Sequence, residues 1–136
     1  MKTDTKVQRF DAYHVLPDSP QVQRDFLYVI ASLAARISDP LGRDIVRVAE
    51  LNAIKPLHVD GFQEFPKRGF GGLVKAPDEP RPRAVVVGTR EFISEAGLEI
   101  PAILEASARQ WEKKNLVWLA GWDGTVHGIL RFIGQS

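Results

Sequence analysis

The chain has no cysteine among its 136 residues. That excludes disulfides and thiolate metal sites, and it fits a reducing compartment. It also lacks a long apolar run. A membrane-spanning helix needs about 20 consecutive apolar residues, and the longest candidate, Phe26 to Ala35, is roughly half that. The N-terminus has no charged segment leading into an apolar core, so no signal peptide is expected and the chain reads as cytoplasmic, without direct membrane contact. An excess of one charge is missing too: 18 Lys and Arg stand against 17 Asp and Glu, for a net charge of +1. Nucleic-acid binders usually carry a basic excess or stripe, so no nucleic-acid partner is expected. The three histidines, His14, His58 and His127, are scattered. No i, i+4 pair converges on a metal, so no metal site is expected. There is no internal repeat and no long low-complexity segment.

What remains is an ordinary globular composition, 44% hydrophobic and 26% charged. A chain of this length can bury a stable core, and residues 1–136 read as one domain. Helix signals come in two pairs. Ser19-Pro20 offers a cap and a first-turn proline. Val22, Phe26, Val29, Ile30, Leu33 and Ile37 follow at helical spacing. Asp39-Pro40 repeats the signal, with Leu41, Ile45, Val48 and Ala49 on the face of a second helix ending near Asn52. In the second pair, Thr89 caps a short helix that Gly97 ends. Pro101 opens another, with Leu104, Ala108 and Trp111 on one side.

Strands are expected at Val7 to Val15, Leu57 to Phe65, Gly69 to Val74, Ala84 to Val87, Leu116 to Ala120 and Val126 to Ile133. The last two flank Asp123-Gly124, a pair that favours the positive φ angles of a tight hairpin. The proline-rich stretch Lys75 to Arg83 reads as a surface loop. The fold class is therefore α+β: an antiparallel sheet of about six strands flanked by two helical pairs.

One stretch has a composition suited to chemistry, Phe65-Pro66-Lys67-Arg68-Gly69-Phe70-Gly71-Gly72. Glycines let backbone N–H groups approach a phosphate, and the two adjoining cations would attract one. No Gly-Lys-Ser/Thr follows, so this is not a P-loop. The competing reading is a glycine-rich bend in a twisted ribbon. Ser19, Ser38 and Asp39 sit at helix starts, where they are common as caps, and no nucleophile–base pair is visible in the sequence. Trp111, Trp118 and Trp122 read as core or hairpin residues, with an aromatic rim around a base as the alternative.

The order of these segments resembles the nucleotide-binding (N) domain of heavy-metal P-type ATPases. Ala31-Ser32-Leu33 and Ser38-Asp39-Pro40-Leu41-Gly42-Arg43-Asp44-Ile45-Val46 resemble that family's helix pair, with its Ser-Glu-His-Pro-Leu stretch. Pro66 to Val74 is similar to its glycine loop, and Val85-Val86-Val87-Gly88-Thr89-Arg90 to its Val-Leu-Val-Gly-Asn-Arg segment. Val117 to Leu130 is similar to its closing hairpin, and Lys2-Thr3-Asp4-Thr5 to the tail of Asp-Lys-Thr-Gly-Thr.

The resemblance implies an ATP-binding cytosolic domain of a heavy-metal pump, copper pumps among them. ATP would lie between Asp39, the Lys67–Gly69–Gly71 loop and the Gly88-Thr89 turn, with Mg2+ in the intact pump and the phosphorylation and actuator domains as partners. Several ligand-contacting positions depart from the pattern. Met1 stands where the phosphoryl-accepting aspartate would be, so no phosphoenzyme is expected in this chain. The adenine-contacting glutamate, the histidine, the loop's first glycine and the asparagine fall on Ala34, Asp39, Lys67 and Thr89. The alternative implied is a degenerate module of the same fold that no longer binds nucleotide. A free-standing hydrolase is a third class.

Overall fold

The helices begin where capping chemistry puts them. The computed structural model describes residues 7–16, 19–37, 40–55, 58–75 and 80–135. In it Ser19 Oγ accepts from Val22 N at 3.2 Å and opens α1 (Pro20–Ala34). Thr89 Oγ1 accepts from Phe92 N at 3.2 Å and opens α3 (Arg90–Glu95). Beyond α3, Gly97 takes the left-handed φ of 82° that ends a helix cheaply for glycine. Pro101 precedes α4 (Ala102–Glu112). The second helix, α2, spans Pro40–Leu51, but its expected cap, Asp39, lies outside the described residues, as do Ser38 and the Lys2–Thr5 stretch.

Six strands form one antiparallel sheet. They are β1 (Val7–Val15), β2 (Val59–Phe65), β3 (Gly69–Val74), β4 (Arg83–Gly88), β5 (Leu116–Trp122) and β6 (Thr125–Gln135). Their order is β1-β6-β5-β4-β3-β2, so β1 and β2 are the edges. The β5–β6 ladder runs further than expected, up to Trp122 opposite Thr125. The two-residue turn explains this: Asp123 and Gly124 both have positive φ, 54° and 78°, the primed geometry that matches strand twist. Two register shifts interrupt the edges. One lies between Phe10 and Ala12 on β1, the other between Asp60 and Gln63 on β2, where Gly61 has φ 62°. At the first, Asp44 of α2 accepts from Phe10 N, and Asp11 forms a bidentate pair with Arg131 at 2.7 and 2.9 Å.

The sheet separates two cores. On one face α1 and α2 bury Phe26, Ile30, Leu33 and Ile45 against Phe10, Phe70, Val85, Val87, Trp118, Leu130 and Phe132. On the other, α3 and α4 bury Ile93, Leu104 and Ala108 against Val117, Leu119, Val126 and Ile129. Burying a side chain of this size stabilises by about 1.5–3 kcal/mol, so both helix pairs are held chiefly by apolar area. Ile37 is buried as the sequence pattern implies, but it follows α1 rather than ending it. Among the described residues no helix is long and apolar enough to cross a membrane.

Candidate functional site

The glycine stretch folds as the β2–β3 hairpin, with Pro66-Lys67-Arg68 at its tip. Lys67 is exposed with φ 66°. That left-handed backbone costs an L-residue about 1–2 kcal/mol and costs glycine nothing. The position the resemblance assigns to the family's first glycine thus keeps a glycine-like geometry. Among the described residues no carboxylate pairs with the Lys67 ammonium. Arg68 is committed elsewhere: its guanidinium pairs with Glu95 and lies 5.7 Å from the Phe92 ring centre.

Gly69 and Gly88 face each other across the β3–β4 ladder, and Thr89 N donates to Arg68 O at 2.9 Å. The fold thereby joins Lys67, Gly69, Gly88 and Thr89 at one end of the sheet. Both glycines have a packing reason. A Cβ on Gly88 would lie 2.3 Å from Arg68 O and 2.7 Å from Phe92 Cδ2; one on Gly69 would lie 2.2 Å from Val87 O. Gly71 is held close in the same way, 2.8 Å from Val85 O. It lines an open groove of about 310 Å³ with Gly61, Gln63, Phe65, Val86 and Phe92, beside α3. Thr89 is occupied as the α3 cap, a role asparagine fills equally well.

The opposite face of the same strands is aromatic. Ring centres run from Phe62 to Phe70 (6.4 Å), Trp118 (5.8 Å), Phe132 (5.9 Å) and Phe10 (5.6 Å). Arg36, just past α1, lies 5.6 Å from the Phe62 ring centre and donates to Val59 O at 3.1 Å. Ala34 is 1% exposed and presents no polar side-chain atom here. Within the row one polar group is unsatisfied: Trp118 Nε1 is buried with no hydrogen-bond partner. An indole nitrogen only donates, and leaving such a donor buried and unpaired costs about 1–3 kcal/mol.

The three histidines each have a different partner. His58 pairs with Asp60 at 2.8 Å on the surface. His127 stacks on Trp122 at 4.0 Å, and burial, reinforced by the charge of Arg83, lowers its pKa against the opposing hydrogen bond to Trp122 O. His14 Nδ1 lies 3.0 Å from Ser107 Oγ, a pairing across 93 positions that no sequence pattern signalled. No third group orients that imidazole among the described residues, and triad-type catalysis requires one. No group of three or more His, Cys, Asp or Glu that could hold a metal occurs among the described residues.

No protein-family model matches the sequence, and no curated protein matches it. Solved structures do match the fold. The N-domain of HMA6, a copper-transporting P-type ATPase, superposes with a TM-score of 0.70 at 21% identity, covering 93% of this chain and 98% of that one. The fold is that of a P1B-type ATPase N-domain. A zinc-transporting PIB-type ATPase in its E2.Pi state gives 0.72 at 17% identity over 94% of this chain, which spans 19% of the pump. The catalytic domain of the CPx-ATPase CopB-B, which changes conformation upon nucleotide binding, gives 0.61 at 17% identity over 94% of this chain. The six-stranded antiparallel sheet with its helix pairs is thus the N-domain architecture that the order of sequence segments implied.

Proposed function

We propose that the chain is the nucleotide-binding domain of a heavy-metal cation-transporting P-type ATPase. It holds ATP so that the γ-phosphate reaches an aspartate in a neighbouring phosphorylation domain on the cytosolic side. The purine lies against half-buried Phe62, and the polyphosphate extends toward Lys67. The domain's contribution is positioning, which with electrostatic stabilisation makes up most of phosphoryl-transfer catalysis. Mg2+ would come bound to the phosphates, with its remaining ligands supplied by the partner domain.

The observation that carries this reading is the direct joining of the Lys67 turn to the Gly88–Thr89 turn, through Thr89 N to Arg68 O, in an N-domain fold. Titration of 15N-labelled protein with ATP and ADP tests it. Amides around Gly69 and Gly88 are expected to shift at millimolar nucleotide, and still amides would end the reading.

A second reading, an N-domain-like structural or interaction module without nucleotide, draws on the burial of Ala34 and on the packing that already accounts for Gly69, Gly71 and Gly88. The quadruple variant Ala34→Glu, Asp39→His, Lys67→Gly and Thr89→Asn separates the two. Gained or tightened ATP binding means the pocket is altered but open. No binding before or after means it is closed by packing.

A further inference from the structure

We propose that Arg36 sets the base preference of the nucleotide seat, its guanidinium donating to the O6 and N7 acceptors of a 6-oxopurine, so that GTP is held more tightly than ATP. This rests on the nucleotide reading above, with its purine against Phe62, and adds which purine the seat prefers.

Phe62 stands at the break in the β2 ladder. Neither it nor Gly61 is paired with β3, and the register resumes at Gln63 opposite Gly71. A bulge of this kind re-aims a side chain, and the Phe62 ring is half-buried, so part of it meets solvent. About 10 Å of strand separates Phe62 from Phe65 and the Lys67 turn beyond it, a span that one nucleotide can cover. Arg36 reaches the ring from just past α1. Its backbone is fixed, because Arg36 N donates to Leu33 O at 2.9 Å and the neighbouring Ile37 is buried. Its side chain is exposed, with the guanidinium carbon over the Phe62 ring, 5.6 Å from its centre, and Nη1 donating to Val59 O at 3.1 Å. A cation over an exposed ring is held weakly, so the guanidinium can turn toward a ligand. A purine coming to lie against Phe62 meets this group first.

The chemistry of a guanidinium selects among purines. It carries five donors in a planar fork and accepts nothing. Among the described residues it spends one of them, on Val59 O. Guanine shows two acceptors, O6 and N7, on one edge, spaced for bidentate donation from such a fork. Adenine keeps N7 but has an amino group in place of O6, and so turns a donor against a donor. Ala34, two residues before Arg36, is buried and has no polar side-chain atom to accept from that amine. Glu64 pairs with Phe70 across the ladder and therefore shares the face of the sheet. Its carboxylate can accept from the 6-amino group of adenine or the 2-amino group of guanine, so it does not separate the two bases by itself.

The test uses the full chain, 15N-labelled, titrated in turn with ATP, GTP and inosine triphosphate, which keeps O6 and N7 and lacks the 2-amino group. GTP and inosine triphosphate are each expected to bind about fivefold more tightly than ATP, the scale of one hydrogen bond shared with water, and both are expected to shift the Arg36 Nε–H resonance. Arg36→Ala abolishes the preference, and so does Arg36→Lys, which keeps the charge without the fork. ATP binding as tightly as GTP, an unmoved Arg36 Nε–H, or a preference that survives in Arg36→Ala overturns the assignment. So does inosine triphosphate binding no better than ATP while GTP is preferred, because the 2-amino group would then be what is read. In each of these cases the amides of Gly69 and Gly88 still move and nucleotide binding stands. If no nucleotide moves them, both readings fall. The wild-type ranking and the Nε–H shift decide the matter even if Arg36→Ala is poorly folded.

Discussion

The two faces of the sheet solve packing in opposite ways. Beside α3 and α4 the strands approach so closely that Gly69, Gly71 and Gly88 leave no room for a methyl group, and the nearest atom each would strike is a backbone oxygen. The polar groups there are paired: Arg90 joins Glu105 at 2.5 Å and Glu112 at 2.7 Å, and Arg68 joins Glu95. Beside α1 and α2 the spacing is set by large rings, and a donor is left without an acceptor. The comparison separates residues kept for architecture from a group that architecture does not use. A glycine-rich loop taken alone looks like the functional feature, whereas its geometry is explained by packing and the unexplained atom lies behind it.

The sharpest way to break this contrast is to add one carbon to each face. Gly88→Ala pushes a methyl group into the Arg68 carbonyl, and only movement of the backbone can relieve it. Urea denaturation is expected to show a loss of about 3 kcal/mol. Gly72→Ala places its Cβ 3.0 Å from Leu33 Cδ2 and Val59 Cγ1, both side-chain ends that can turn aside. The same measurement should give about 1 kcal/mol. Equal losses would mean that the two faces are packed alike.

Trp118→Phe sharpens the contrast from the other side. The smaller ring gives up contacts, and it also removes a buried unpaired donor, so the two effects oppose each other. The net change is expected to stay within about 1 kcal/mol. A loss near 3 kcal/mol would show that the indole nitrogen is satisfied in solution.

The smallest effect concerns pH. Burial holds His127 below the ordinary imidazole value of 6.5, so the unfolded chain takes up the proton first as pH falls. Its contribution is fully present above about pH 6.5 and declines below it. The decline should be shallower in His127→Gln when denaturation midpoints are compared between neutral and mildly acidic buffer.

Local chemistry was readable from the sequence, and long-range contact was not. Ser19, Thr89 and Gly97 mark helix ends through hydrogen bonds and dihedral angles confined to a few neighbouring residues. Asp123-Gly124 fixes its hairpin in the same local way. The sheet order, the meeting of His14 with Ser107 and the opposition of Gly69 and Gly88 depend on which strands become neighbours, and hydrophobic period carries no such information.

The candidate site divides along the same line. Lys67, Gly69, Gly88 and Thr89 lie together at one end of the sheet. Gly71 lines the groove beside α3, and Asp39 lies outside the described residues. Arg68, attractive by charge, is drawn to Glu95 27 positions away. In the sequence Trp118 reads only as an aromatic, because an absent partner leaves no trace in composition.

The interruptions at the two sheet edges affect how the molecule behaves among its own copies. An open strand with a regular row of free N–H and C=O groups is a template onto which another chain can add. On β1 the run breaks at Asp11, and Asp44 occupies the Phe10 N–H; on β2 it breaks at Gly61. A neighbouring molecule would find no uninterrupted rail on either side, so the sheet ends where its own six strands end and self-templated fibre growth is discouraged.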